Sequence, residues 1–178
     1  RLIPNIDNGF QKAVELILEC HGKVVITGVG KSGHIGAKIA ATLSSTGTPS
    51  FYVSPLDMYH GDLGVVSEGD IVIGISYSGQ TDELLKIVPS LTERNIPIIG
   101  ISGFRDSILA KNSNAHICIH VEEEARPLRL APTCSSTATL AMGDALACCL
   151  MEARGFKEND FAKFHPGGML GKRLLTKA

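Results

Sequence analysis

Five short apolar runs alternate with segments of helical period along this chain, the pattern that βαβ units produce when they build a parallel sheet. The runs lie at 24–27, 50–53, 71–76, 98–101 and 115–120. Most are continuous rather than alternating, as expected of strands covered by helices on both faces. Helical spacing predicts elements near 33–45, 81–94 and 106–111, after a leading helix over 6–20 whose apolar positions are Phe10, Val14, Ile17 and Leu18. A long helix is expected over 135–154. Its apolar residues run nearly all round, so it should be buried, in part by another subunit. Pro166, Gly167 and Gly168 then break the chain before a short amphipathic tail with Met169, Leu170, Leu174 and Leu175. With no repeat, low-complexity segment or linker, residues 1–178 should form one α/β domain, a three-layer α/β/α sandwich around a parallel five-stranded sheet.

Composition narrows the function classes. A net charge of −1 calls for neither nucleic acid nor an anionic membrane surface. Five cysteines without a C-x-x-C spacing argue against a disulfide framework or a zinc knuckle and fit a reducing, cytoplasmic setting. No signal-peptide pattern opens the chain. The longest apolar stretch, 138–151, is interrupted by Asp144 and is short for a bilayer.

Two strand-to-helix junctions carry candidate chemistry. The first reads Gly28-Val29-Gly30-Lys31-Ser32-Gly33, a G-x-G-x-x-G at a helix entry, where free amides and the dipole favour an anion. A dinucleotide site would want an acidic residue about 20 positions later at the end of the second strand, and that strand ends in Phe51-Tyr52-Val53-Ser54. A nucleotide-binding P-loop fails too, since its earlier glycine is Val25 here. What remains is an anion-binding loop with a cation, Lys31, inside it. The second junction reads Ser76-Tyr77-Ser78-Gly79-Gln80-Thr81, whose three hydroxyls and helix amides can surround a phosphate; Thr81 could equally be a simple helix cap. Two such loops at the carboxyl ends of neighbouring strands point to a shared ligand, because open α/β sheets bind there.

The second loop, S-x-S-G-x-T between strand and helix, resembles the signature of the sugar isomerase (SIS) family. The likeness extends to the arabinose 5-phosphate isomerases of Kdo and capsule synthesis. It is carried by 30–36, 45–50, His60-Gly61-Asp62-Leu63-Gly64, Leu130-Ala131-Pro132-Thr133 with 136–140, 142–147, and His165-Pro166-Gly167-Gly168. Two positions depart from it: Gln80 stands where some relatives carry Glu, and Cys134 where Ser or Thr is expected. Such proteins usually continue into a pair of CBS domains. This chain holds no CBS domain, and is either a single-domain member or a piece of a longer protein.

The resemblance implies a flavodoxin-like or Rossmann-like SIS fold and interconversion of D-arabinose 5-phosphate and D-ribulose 5-phosphate through an enediol(ate), supplying Kdo. It implies no cofactor and no metal. Lys31, Glu83, Glu124 and His165 match the catalytic set. Lys31 would stabilise the enediolate or the phosphate. Glu83 would sit in a helix first turn, where the dipole favours its anion. Glu124 ends the triplet Glu122-Glu123-Glu124, whose crowded carboxylates should raise one another's pKa, and is the favoured base. His165 suits ring opening and proton shuttling near neutral pH. The substrate and phosphate contacts expected are Gly30, Ser32, Ser76, Ser78, Gly79, Thr81, Thr133, Ser135, Ser136 and His60, with helix capping the alternative for 133–136. His34 and His60 lack metal spacing but could meet His165 around the site, where a transition metal would inhibit. Asp144 should have a buried structural partner.

A non-catalytic sugar-phosphate sensor is the alternative function, as is another ketose phosphate as substrate. Regulators of that kind usually carry a helix-turn-helix and a basic face, and neither is present. The resemblance further implies a homodimer or homotetramer, with His165 serving a neighbour's site, and feedback by CMP-Kdo is conceivable.

Overall fold

The computed structural model describes residues 2–166. Its centre is a five-stranded, all-parallel sheet built from β1 (Val24–Gly28), β2 (Ser50–Tyr52), β3 (Ile71–Ile75), β4 (Ile98–Ser102) and β5 (Ala115–Cys118), in the order β2-β1-β3-β4-β5. Each expected strand is present, within one or two residues of its expected ends. β1, β3 and β4 are buried at every position, which is why their sequences run apolar without alternation.

Helices cover both faces. On one side α1 (Asn8–Glu19), α2 (Lys31–Ser45) and α7 (Cys134–Arg154) pack Phe10, Ile17, Ile39, Leu43, Met142 and Leu146 against Ile26, Ile73 and Ile101. On the other, α3 (Pro55–Tyr59), α4 (Asp82–Leu85), α5 (Val88–Glu93) and α6 (Ile108–Lys111) bring Met58, Leu84, Leu91 and Leu109 onto Val25, Val72 and Ile98. The three-layer sandwich is as expected. α8 (Glu158–Phe164) follows α7.

Several element boundaries differ from the sequence reading for identifiable reasons. The helix expected over 81–94 is two helices, because Pro89 in the first turn of α5 has no N–H to continue the ladder and crowds the carbonyl four residues back. The leading helix starts later than expected because Asp7 caps it, its carboxylate accepting from the amides of Gly9 at 2.9 Å and Phe10 at 3.3 Å. α3 and α8 were not anticipated; both are short, with too few turns to leave a periodic signal. The tail with Met169, Leu170, Leu174 and Leu175, and Gly167 and Gly168, lie outside the described residues.

α7 is longer than the apolar stretch within it. By length and composition it could cross a membrane, yet it is a core helix, with Met142, Leu146, Ala147 and Leu150 buried against the sheet side of the fold. Its opposite face, including Ala141, Cys148 and Cys149, is exposed. Asp144 is not buried as expected. It pairs with Lys38 of α2 at 2.5 Å, and both side chains are more than 40% exposed. The buried acid is instead Asp70, whose carboxylate accepts from the Lys23 amide (2.9 Å), the Lys23 ammonium (2.7 Å) and the Ser67 amide (2.7 Å). Burial pushes that carboxyl up, but the Lys23 bonds and the Ser67 amide outweigh it and hold it below the ordinary range.

Gly33 sets how closely α2 meets the sheet. A Cβ there would lie 2.6 Å from Tyr52 Oη and 2.7 Å from the Gly28 carbonyl, which Tyr52 already engages at 2.7 Å. Gly33→Ala is therefore expected to destabilise the fold by about 1–3 kcal/mol, read by urea unfolding. Asp70→Asn should cost about 1–3 kcal/mol at neutral pH. Because the folded-state pKa is depressed, wild type's advantage over this variant should be complete above the ordinary aspartate pKa of about 4 and fade below it. Unfolding curves of the two proteins across that range check the sign.

Candidate active site

The strand order makes one point of the sheet different from the rest. From β1 the chain crosses to β2 on one side, and β3 then returns to pair with β1 on the other, Gly28 standing beside Ile75. The connections after β1 and β3 thus diverge from one edge and leave a crevice there, the position where doubly wound sheets bind ligands. A cavity of about 330 Å³ opens at this place. Val29, Lys31 and Ser32 enter it from the β1 junction, Tyr77 from the β3 junction, Glu124 and Pro132 from the loop after β5, and Ser135, Ser136 and Thr139 from α7.

Each wall has a local cause. Gly30 stands just before α2 at φ 58°, a left-handed turn that places Lys31 as the first helical residue. Lys31 is exposed and the Gly33 contact fixes the helix behind it. Tyr77 lies across the crevice: its hydroxyl donates to the Val121 carbonyl at 3.1 Å and accepts from the Val121 amide at 3.3 Å. It was absent from the sequence-derived set, although it sits inside the S-x-S-G-x-T run, because its role depends on a chain segment 44 residues away.

The serine-rich β3 loop is a closed network. Ser76 Oγ shares hydrogen bonds with Thr81 Oγ1 at 2.8 Å and Ser78 Oγ at 3.4 Å, and accepts the Gly79 amide at 3.0 Å; Ser78 Oγ accepts the Gln80 amide at 3.2 Å. Thr81 is the N-cap residue of α4 but makes no side-chain cap, its hydroxyl being turned to Ser76 instead. Gly79, at φ 63°, packs directly on Ser107. Ser76, Ser78, Gly79 and Thr81 lie beside the cavity's β3 wall rather than lining it.

Glu124 departs most from expectation. Its Oε2 accepts from the Thr133 amide (2.8 Å), the Thr133 hydroxyl (3.0 Å) and the Ser135 amide (3.3 Å). The carboxylate therefore caps α7, a task that was the alternative to substrate contact for the hydroxyls in 133–136. Partial burial pushes the carboxyl up, but the donors of Ser135 and Thr133 outweigh it and hold it at about 2. The raised pKa expected from carboxylate crowding is overturned, since Glu123 pairs with Arg129 at 2.9 Å and the nearest groups to Glu124 are donors. Ser136 bonds the Pro132 and Thr133 carbonyls, and the buried Ser135 lies on the cavity wall.

Two of the expected catalytic residues, and His60, stand apart from this cavity. Glu83 is half-buried in α4, a single turn, so any dipole effect there is that of one turn. His165 ends α8, its ring stacked on Phe161 at 3.8 Å and its Nδ1 at 2.8 Å from the Phe161 carbonyl. α7 alone spans about 31 Å. The cavity is at its first turn, whereas Arg154 at its last turn bonds Gly47 and Ile17, and the Phe156–Phe164 stack lies against Gly47. His165 is thus held at the opposite end of α7 from its own chain's cavity. His60 ends α3, exposed and edge-on to Tyr59, and His34 is exposed on α2. No three His, Cys, Asp or Glu side chains among the described residues are grouped to hold a metal ion.

Comparison with known proteins agrees with the fold. The chain is 54% identical over 172 residues to the arabinose 5-phosphate isomerase KdsD of Yersinia pestis, covering 97% of this chain and 52% of that protein. It is 51% identical over 177 residues to the arabinose 5-phosphate isomerase KpsF of Escherichia coli O6:H1, covering 99% of this chain and 54% of that protein. The chain thus spans about half the length of the curated relatives it matches. A solved Escherichia coli CFT073 protein, in complex with arabinose 5-phosphate, superposes with a TM-score of 0.87 at 44% identity, covering 93% of this chain and 89% of that one. The SIS domain model matches residues 17–148, from the last turns of α1 to the middle of α7. With the sheet, both junction loops and the α7 entry inside that match, the chain belongs to the SIS domain family.

Proposed function

We propose that this chain is the isomerase domain of an arabinose 5-phosphate isomerase, interconverting D-arabinose 5-phosphate and D-ribulose 5-phosphate to supply Kdo synthesis. The observation that carries the reading is the cavity at the β1/β3 crossover, which joins a cation, Lys31, to a carboxylate, Glu124, between hydroxyl-lined walls. The names of the KdsD and KpsF relatives support the substrate, as does the arabinose 5-phosphate bound by the solved relative.

Aldose–ketose isomerisation moves a proton between C1 and C2 through an enediol(ate), and needs a proton acceptor and a positive group for the developing oxyanion. Lys31 supplies the positive charge at the first turn of α2, where the helix amides add to its field. Glu124 takes up and returns the proton. Its carboxyl is a weak base while the amides and hydroxyls of Thr133 and Ser135 hold it, so in the working state the substrate must draw some of that hydrogen bonding away. The Ser76–Thr81 loop with Gly30 and Ser32 binds the phosphate, exchanging its internal hydroxyl bonds for phosphate oxygens. Ser135 and Ser136 contact the sugar.

Glu83 and His165 belong to the catalytic set as well. The position of His165, a helix length from its own cavity, supports a site completed by a second subunit, and the exposed apolar face of α7 supports a homo-oligomer in a cytoplasmic enzyme. CMP-Kdo would act as a feedback ligand at the same cavity.

An assay with arabinose 5-phosphate and ribulose 5-phosphate tests the reading. Lys31→Ala and Glu124→Gln should each lower kcat/KM by about 100-fold or more, and Glu83→Gln and His165→Ala should impair turnover. Full activity in all four variants would overturn the mechanism. Sedimentation at micromolar concentration should give a dimer or tetramer, and a monomer there would remove the shared site.

A further inference from the structure

The loop that carries Glu124 is tied at its two ends by Thr133, which bonds both Glu124 and Ala125. Thr133 reaches Glu124 Oε2 twice, through its amide at 2.8 Å and its hydroxyl at 3.0 Å, while the Thr133 hydroxyl oxygen accepts the Ala125 amide at 2.9 Å. The closure is reciprocal: each end supplies a donor to the other. Between the ties the loop has little else to hold it, with Leu128 74% and Leu130 79% exposed and one internal backbone bond, from the Arg129 amide to the Ala125 carbonyl at 3.2 Å. The Thr133 amide, the Thr133 hydroxyl and the Ser135 amide all bond Glu124 through Oε2, and the Ser135 hydroxyl is a further donor beside the carboxylate.

We propose that Thr133 is a positioning residue for Glu124: it pins the carboxylate by Oε2 to the entry of α7, leaving Oε1 as the oxygen that accepts the substrate's proton. The sequence reading gave Thr133 a contact with substrate. Its hydroxyl is instead committed on both sides, donating to Glu124 and accepting from Ala125, and Thr133 is absent from the cavity wall that Glu124, Ser135 and Ser136 form. A hydroxyl so placed does two things to a base. It fixes which lone pairs point at the substrate, and it lowers proton affinity by stabilising the anion.

Other groups around Glu124 do not take over that role. Across the cavity stand Lys31 on α2 and Tyr77, whose hydroxyl is engaged with Val121; Cys134 begins α7. On its own loop Glu123 is paired with Arg129, and Glu122 and Arg126 are exposed. None of these is a hydrogen-bond partner of Glu124 among the described residues. Thr133 and Ser135 alone set its environment through hydrogen bonds.

The role in proton transfer rests on the isomerase reading, whereas the effect on the carboxylate does not, and the experiment separates them. In the substrate-free protein, carbon-13 NMR of the Glu124 carboxyl is followed from about pH 6 to about pH 3. Removing a donor raises a carboxyl's pKa, so Thr133→Val should begin to protonate roughly one pH unit above wild type, and Thr133→Ser should restore the wild-type course. In the arabinose 5-phosphate assay, Thr133→Val should lose about tenfold in kcat with KM within about twofold, and Thr133→Ser should recover it. Thr133 is exposed, so the valine variant should fold, which its thermal unfolding verifies. An unchanged Glu124 titration in Thr133→Val, or a serine variant as shifted as the valine one, overturns the proposal. So does a shifted titration with unchanged kcat. A shifted titration in a chain whose wild type has no isomerase activity removes the isomerase reading and leaves the hold of Thr133 on Glu124 standing.

Discussion

The pairing of β1 directly with β3 governs the rest of this molecule. Both strands are buried on each face, so their backbones must find every hydrogen bond from one another and from β2 and β4. That requirement fixes the register, with Gly28 beside Ile75, and sends two loops away from a common edge in opposite directions. The crevice they leave follows from strand order, before any side chain is considered. A lysine at one loop and a tyrosine at the other then face each other, although 46 positions separate Lys31 from Tyr77 along the chain.

The second constraint is the start of α7. A helix of 21 residues presents several amides without partners at its first turn, and this one begins in the site. The amides need an acceptor, and the loop after β5 delivers Glu124 to them. One carboxylate thereby closes the loop, caps the core helix and lines the cavity. The cost is chemical: the interaction that makes Glu124 well placed also makes it a weak base. In the proposed enzyme, substrate binding would redistribute those donors, because a sugar phosphate would bring hydroxyls and charge into the same small volume.

α7 also explains how one helix can be apolar on nearly every side without instability. Its inner face completes the core over α2 and the sheet, and Arg154 at its last turn is held by the carbonyls of Gly47 and Ile17 and by Thr48. The outer face, with Ala141, Cys148 and Cys149, is exposed, and in the proposed enzyme it would meet a second subunit. Since His165 is held at that same far end, assembly and catalysis become one question in the proposed enzyme.

The sequence by itself determined the layers, the five strands and the junction loops, because burial on both faces writes continuous apolar runs and tight turns write glycines. It also marked Lys31 and Glu124, through resemblance to the SIS family. It could not say that Pro89 divides a helix into two, that Asp144 sits in a surface pair while Asp70 is the buried acid, or that Tyr77 lines the cavity. Those facts depend on which residues meet across long separations. The charge state of Glu124 was the clearest reversal. In sequence its neighbours are two other carboxylates, which predict a raised pKa. In the folded chain its neighbours are the amides and hydroxyls of residues nine to eleven positions away, and they lower it. Proximity along a chain is a poor guide to the field at a side chain; the helix entry that tertiary structure brings beside it decides its proton affinity.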